Sequence, residues 1–405
     1  MEEWKEVKLG DMILFNPIEK MIKGTKYRKI SMDKILPYNR DIYDFEYDFY
    51  SGGAKFRNRD TIMARITPCL ENGKTAYISC LDGDETAFGS TEFIVLREKK
   101  GYSDSKFIYY LAISPQLRQI AIKSMIGSSG RQRVQLDVLE NHSICLPSLK
   151  EQKAIANVLS SLDDKIAINK RINDNLEKQV QALYKSWFVD FEPFKYGEFV
   201  DSEMGRIPDR WTIKRYTEVV DVLSGGTPKT DVSVYWNGNI PFFSPKDVTN
   251  NFYVIKTEKY ITETGLKNCN SSLYPANTTC ITARGTVGKV VLLGVPMAIN
   301  QSNYVLKYKS KGFDFYSYLL ALNVVHLLKN MANGAVFDAI TTKDIASIHI
   351  CDPMENVKQQ FQELIEPIFE KMLELQVENE KIAHLRDSIL PRLMSGELKI
   401  NDLHS

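Results

Sequence analysis

No apolar run in the chain approaches the roughly 20 residues that span a bilayer. The opening segment, Met1-Glu-Glu-Trp-Lys-Glu-Val-Lys-Leu-Gly-Asp11, is too acidic for a secretory signal, so a cytoplasmic protein is expected. Cysteine is scarce. The six present (Cys69, Cys80, Cys145, Cys269, Cys280, Cys351) include no Cys-x-x-Cys pair, and the five histidines never take a metal-ligand spacing. Neither a zinc site nor a disulfide frame is supported. An excess of charge is missing too: 52 Lys and Arg stand against 51 Asp and Glu, a net of +1. A nucleic-acid partner would have to be held by local patches, and non-specific polyanion binding is not the purpose of such a chain. The phosphate-wrapping run Gly-x-x-x-x-Gly-Lys-Ser/Thr does not occur; Gly285-Thr-Val-Gly288-Lys289 and Gly225-Gly226-Thr-Pro-Lys229 lack its spacing and read as turns. An amino-group methyltransferase needs an Asn/Asp-Pro-Pro-aromatic loop, and Asn16-Pro17-Ile18 comes nearest and fails. No nucleophile, metal site or cofactor loop is found.

What is present is ample apolar material, 43% of 405 residues, enough for two cores, and a long internal repeat. Trp4 to Asp11 resembles Trp211 to Glu218 at an offset of 207, and Ile144-Cys-Leu-Pro147 matches Ile350-Cys-Asp-Pro353 at 206. Between them Ala64-Arg65 corresponds to Ala283-Arg284, and Glu92 to Leu96 corresponds to Asn303 to Leu306. The chain reads as globule, long helix, globule, long helix, with boundaries at 1–147, 148–199, 200–352 and 353–405. Within the globules, Glu92 to Arg97, Thr278 to Thr282 and Asn303 to Lys307 are β-rich runs between turn residues. Lys106 to Ile113 and Phe315 to Val325 are too long and too periodic for strands and read as helices, which makes each globule α+β. Tyr38 to Tyr50 alternates like a half-buried strand, with a base-stacking surface as the other reading. Cys145 and Cys351 read as core.

The long helices carry the clearest pattern. After Ser148-Leu-Lys-Glu151, a capping box, the positions Ile155, Leu159, Leu162, Ile166, Asn169, Asn173, Leu176, Val180, Leu183 and Trp187 keep the 4,3 spacing of a coiled-coil seam. The same seam returns 206 residues later as Phe361, Ile365, Ile368, Met372, Leu375, Asn379, Ile382, Arg386, Ile389 and Leu393. Asn173 and Asn379 share one a-type position, where a polar residue fixes register at a cost in stability. Pro367 is expected to kink the second helix and Pro391 to disturb its last turn.

The order of globule and helix resembles the DNA specificity subunits of type I restriction-modification systems. Three runs carry the resemblance: Ser224-Gly-Gly-Thr-Pro-Lys229 with Tyr235-Trp236 and Gly238 to Asp247, then Leu146 to Ile155, then Leu390 to Leu398. The first globule lacks the Ser-Gly-Gly-Thr-Pro run and has Lys26-Tyr-Arg-Lys-Ile-Ser-Met-Asp33 in its place. The resemblance implies two target recognition domains of mixed α/β structure, internally duplicated, separated by two long antiparallel coiled-coil helices. Each domain would read one half of a bipartite, asymmetric site on double-stranded DNA, and the helices would act as spacer and dock two methyltransferase subunits. Methylation with S-adenosylmethionine would belong to those partners, and ATP-driven translocation and cleavage to restriction subunits. This chain itself would be non-catalytic and bind neither cofactor. Symmetry agrees: two related units on one duplex call for an approximate two-fold axis, and helices exchanged by it run antiparallel. A rod of about 40 residues at 1.5 Å each is roughly 60 Å long, more than a helical turn of DNA. A protein-binding adaptor using only the coiled coil and a single-chain DNA-modifying enzyme are the other functional classes to be weighed.

DNA contacts call for loops where Gly lets the backbone approach phosphate and long polar side chains reach base edges. In the first globule the candidates are Ser128, Ser129, Arg131, Gln132 and Arg133 beside Gly127 and Gly130, with Arg65 and Lys26, Arg28 and Lys29 behind them. In the second they are Thr227, Lys229, Lys246, Arg284, Gln301 and Asn303. Arg65 and Arg284 recur at aligned positions and suit a phosphate contact made in both halves.

Overall fold

The computed structural model describes residues 4–249, 251–331 and 338–400. They form two compact units: Met1–Ile168 with Asn379–Ser405, and Asn169–Glu378. Two unbroken helices of 40 residues, Leu149–Phe188 and Glu355–Met394, each begin in one unit and end in the other. No helix among the described residues is long and apolar enough to cross a membrane.

In the first unit the strands Lys5–Lys8 and Ser143–Leu146 pair antiparallel, so the two ends of the repeat meet each other. A four-stranded sheet follows in the order Ile13–Phe15, Phe93–Glu98, Thr61–Ala64, Thr75–Tyr77. Its central strand, Phe93–Glu98, is buried on both faces. Ile94 and Leu96 meet the helix Ser105–Ile113, while Phe93 and Val95 meet a second sheet. That sheet runs Glu46–Phe49, Lys26–Ile30, Thr86–Gly89, Ala54–Arg57. The helix starts where the sequence places it, with the Asp104 carboxylate accepting from the N–H groups of Lys106 and Phe107.

The second unit repeats the plan. Thr212–Arg215 pairs with His349–Asp352. The main sheet runs Val220–Ser224, Asn303–Tyr308, Thr279–Thr282, Val290–Leu293, Tyr253–Val254, and a smaller one Lys259–Ile261, Trp236–Phe243, Ala298–Ile299. The helix Asp314–Met331 covers the main sheet. The parallel pairing of Lys26–Ile30 with Thr86–Gly89 recurs as Trp236–Phe243 with Ala298–Ile299, so the repeat extends to strand direction.

Seam side chains close the core of each unit. Ile155, Leu159 and Leu393 join the first, with Ile389 packed against it; Val180, Phe361, Ile365 and Met372 join the second, with Leu176, Leu183 and Ile368 packed against it. In the first unit Arg386 meets Asp163 at 2.6 Å; in the second Asn173 donates to the Met372 carbonyl at 3.1 Å and Asn169 to Glu378 at 2.7 Å. Leu375 is buried, and Leu162, Ile166, Asn379, Ile382 and Ile389 are half-buried.

The second helix continues through Pro367 and Pro391 to Met394, so neither proline ends it. Pro367 is exposed, so water can take the carbonyl its ring leaves without a donor. Other expectations need correction. The capping box is half formed: the Glu151 N–H donates to Ser148 Oγ at 3.4 Å, but the Glu151 carboxylate accepts from the Trp4 indole at 3.1 Å. Cys145 is exposed, on the outer side of its two-stranded ribbon, while burial pushes the Cys351 thiol up to about 12. Within Tyr38 to Tyr50, the strand Glu46–Phe49 forms but lies at a sheet edge with Tyr47 and Phe49 exposed, so it is not half-buried.

Candidate nucleic-acid interface

In both units three turns converge at one end of the main sheet. In the first they are the chain after Ile13–Phe15, the turn after Thr61–Ala64 and the turn before Phe93–Glu98. Asn16 takes the left-handed conformation at φ 46°. It exchanges hydrogen bonds with Val95, donating to its carbonyl at 2.7 Å and accepting from its N–H at 2.9 Å through Oδ1. The Arg65 N–H donates to the Glu92 carbonyl at 2.9 Å. A cleft of about 390 Å³ opens here, lined by Asn16, Glu19, Lys55, Arg65 and Thr91 among others. Arg65 lines the cleft, and its Nε is buried with no hydrogen-bond partner among the described residues. Gly53, at φ 111°, has the Gly89 carbonyl 2.0 Å from where a Cβ would sit; a side chain there would push Ala54–Arg57 away from its neighbouring strand Thr86–Gly89.

The loop bearing Ser128, Ser129 and Arg131 is closed at its base by paired backbone bonds between Ile126 and Arg133, at 3.1 and 2.9 Å. It is fastened beside Arg65. Val134 N–H donates to the Arg65 carbonyl at 2.9 Å, Thr67 N–H to the Gln132 carbonyl at 3.0 Å, and Gln132 N–H to Thr67 Oγ1 at 3.1 Å. Arg133 lies across Glu92 with contacts of 2.6 to 3.0 Å, which hold its charge and keep its pKa above the ordinary arginine value. Ser128, Ser129 and Arg131 remain exposed, and Gln132 is half-buried. The structure thus brings Arg65 and the 128–133 loop together, with Arg133 spent on bracing Glu92.

Lys26, Arg28 and Lys29 are elsewhere. They lie on the strand Lys26–Ile30, whose counterpart in the second unit is Trp236–Phe243, so the segment does not replace the Ser-Gly-Gly-Thr-Pro run. Asn16 to Glu19 occupies that place instead. Arg28 is buried and held by Asp82 at 2.8 Å and Glu85 at 3.4 Å, and Lys29 is paired with Asp48 at 2.9 Å and Glu46 at 3.3 Å. Arg28 therefore stabilises the sheet and has no route to a base edge.

In the second unit the Ser-Gly-Gly-Thr-Pro run has a physical reason. A Cβ at Gly225 would lie 2.2 Å from the Asn300 carbonyl, so only glycine lets this turn approach its neighbour. The approach sets the exposed Thr227 hydroxyl on Gln301. Arg284 N–H reaches the Ser302 carbonyl at 3.3 Å, and Gly285 passes close to Pro245, next to the exposed Lys246. The Trp236 indole fixes the Lys229 carbonyl at 3.0 Å. Asn303 differs from its neighbours: it is fully buried, and its amide donates to the carbonyl of Phe243 at 3.3 Å and to Asn300 Oδ1 at 3.0 Å. It ties two turns together beneath the surface, which corrects its assignment as a contact residue. Thr227, Lys229, Lys246, Arg284 and Gln301 are all exposed around it.

The sequence reading missed Asn16, Glu19, Lys55 and Thr91, which meet only through strand register; Glu19 also grips Arg97 at 2.6 Å and accepts from Lys55 at 2.7 Å through its carbonyl. Among the described residues no three His, Cys, Asp or Glu side chains are grouped to hold a metal. Each convergent set is rich in donors, mixes Thr, Gln or Asn with Arg and Lys, and is carried on turns braced from below, as reading a polyanion's edges requires.

Known proteins point the same way. The sequence model of the type I restriction modification DNA specificity domain matches residues 1–178 and again 208–386. The type I restriction enzyme MjaIX specificity subunit of Methanocaldococcus jannaschii is 30% identical over 74% of this chain and 70% of that protein. The HindI specificity subunit of Haemophilus influenzae is 23% identical over 98% of this chain and 100% of its own. The crystal structure of a type I restriction-modification system S subunit from M. genitalium shares the fold, with a TM-score of 0.52 at 16% identity over 96% of each chain. With one domain matched twice across most of its length, the chain belongs to the type I restriction modification DNA specificity family.

Proposed function

We propose that this chain is the DNA sequence-specificity subunit of a type I restriction-modification complex, with residues 1–147 and 200–352 as target recognition domains that each read one half of a bipartite site. The observation that carries this reading is the recurrence, in both units, of an arginine (Arg65, Arg284) on the turn after the same strand, facing a turn of polar side chains. Two related sites on one chain suit two related half-sites, and their different residues around a shared arginine suit different bases. The long helices, 148–199 and 353–405 with their flanking segments, are the antiparallel coiled coil that sets the interval between half-sites and docks two methyltransferase subunits. S-adenosylmethionine and ATP chemistry belong to the methyltransferase and restriction partners, and this chain is non-catalytic.

A methylation map from cells expressing the chain with its methyltransferase partners tests this directly: a single bipartite motif is expected, and methyl transfer by the purified chain alone would overturn the reading. In the same assay Arg65→Ala should weaken recognition of the first half-site and Arg284→Ala that of the second. Loss of a phosphate contact lowers affinity for all sequences and the salt slope by about one, whereas loss of a guanine contact costs about 1 to 3 kcal/mol at one position. Arg131→Ala should act with Arg65→Ala on the first half only, and an effect on both halves would contradict the division of labour.

A further inference from the structure

The strand Glu46–Phe49 is the terminal strand of its four-stranded sheet, and it is unusually aromatic for an exposed edge. Tyr43, Phe45, Tyr47 and Phe49 are between 36% and 63% exposed. Exposed apolar residues scattered singly are ordinary, but four rings within seven residues make a patch. The rings are also held in place. Phe45 and Tyr47 meet edge to face at 5.8 Å, and the Arg28 guanidinium lies 4.2 Å from the centre of the Phe45 ring.

The charges around the patch decide what it can bind. Arg28 is buried at 5% exposure, while its partner Asp82 is 90% exposed. Lys29 is likewise less exposed than Glu46 and Asp48, and Lys34 less than Asp44. In each pair the cation lies beneath and the carboxylate faces out. Lys26, across the sheet from Phe49, is the exposed cation at the other end of the strand. On this strand the rings of Phe45, Tyr47 and Phe49 take one face and the carboxylates of Glu46 and Asp48 the other, so a segment pairing with the edge meets rings on one side and exposed carboxylates on the other. The carboxylate side attracts Lys and Arg, and the ring side takes the apolar side chains that alternate with them along an extended segment. A terminal strand adds backbone pairing to that attraction.

We propose that Glu46–Phe49, with Tyr43 and Phe45, is a docking edge for an extended segment of a partner protein that carries Lys or Arg. The proposal rests on the reading of this chain as a subunit of a larger assembly. The test uses the full-length chain and a fluorescein-labelled peptide alternating Arg with Val, followed by anisotropy. Binding is expected, with none for the same peptide carrying Glu in place of Arg. The double variant Tyr47→Ala with Phe49→Ala should weaken binding at least tenfold, and Glu46→Gln, which leaves the rings in place, about threefold. If the double variant melts at a lower temperature than the parent, the single exposed change Tyr47→Gln replaces it. No binding of the Arg peptide by the parent, or equal binding by the ring variants, overturns the proposal. So does binding of an oligothymidylate that the ring variants abolish, which would make the patch a nucleic-acid surface. Site-specific methylation by the assembled complex is scored separately: failure there sinks the specificity-subunit reading and leaves the peptide result intact.

Discussion

Asp163→Ala should destabilise the first unit by about 3 to 5 kcal/mol, the largest effect of any single substitution considered for this chain. Asp163 lies on the first long helix, 5% exposed, with each carboxylate oxygen in use: Oδ1 accepts from Arg386 at 2.6 Å and Oδ2 from the Tyr110 hydroxyl at 2.6 Å. Arg386 is 6% exposed. Burial pulls its guanidinium pKa down, but the neighbouring Asp163 and then Asp387 outweigh that and hold it above the ordinary arginine value. Burial first, and then Asp163, push the Tyr110 hydroxyl far above its ordinary range, so it stays a donor. Removing the carboxylate strands a buried cation and a buried hydroxyl together, and the remaining contact of Arg386 with Asp387 at 2.7 Å lies toward solvent. Urea unfolding of the full chain would show the loss. The pair itself is not worth that much, because both charges were desolvated to make it. Replacing all three polar groups by apolar ones, Asp163→Leu with Arg386→Met and Tyr110→Phe, should therefore restore most of the stability. A single Asp163→Ala variant within about 1 kcal/mol of the parent would mean water reaches the site, contrary to its burial. Asp352→Ala in the second unit should cost less: Lys358 is buried against Asp352 at 3.0 Å, but Lys214, its other partner at 2.7 Å, is 42% exposed and can turn to water.

The helices were the most legible part of the sequence because a seam repeats a simple spacing over many turns. That spacing names a face and not a partner. Arg386 stands in the seam by its position, yet nothing in the linear pattern ties it to Asp163, which is 223 residues away. The ends of each globule were recognisable as repeats, while their pairing with each other emerged only in three dimensions. At the candidate interface, Arg65 and Arg284 were visible because the duplication aligned them. Arg28 and Asn303 misled because a polar side chain was taken as a sign of exposure: Arg28 shares the inward face of its strand with Ile30, and Asn303 sits on an inner strand of the main sheet. Asn16, Lys55 and Thr91 become neighbours through antiparallel register, which local patterns do not encode.

Removing one heptad from each long helix should shorten the unspecified spacer of the recognised DNA while leaving both half-site sequences unchanged, if the helices set the interval as proposed. The cuts have natural places. In the first helix, Asp164 is held by Arg40 at 2.7 Å, and Leu176 packs in the second unit's core, so Ile166 to Ile172 lies between anchors. In the second helix, Gln376 donates to the Tyr253 carbonyl at 2.7 Å and Arg386 is held by Asp163, so Val377 to Ala383 lies between anchors. Deleting seven residues from both keeps the seam in phase. At 1.5 Å per residue each helix shortens by about 10 Å, and at roughly 3.4 Å per base pair that is about three base pairs. The accompanying cost is rotational, since three base pairs turn the duplex by roughly 100° at 10 to 10.5 per turn. Binding should weaken to the extent that DNA twist and the partner subunits fail to absorb that angle. Deleting four residues from each helix should be worse despite the smaller change in length, because it also rotates the apolar seam away from its partner. A methylation map of the heptad variant that returned the parental spacer at full activity would show that the helices do not measure the DNA, and would leave them as docking surfaces alone.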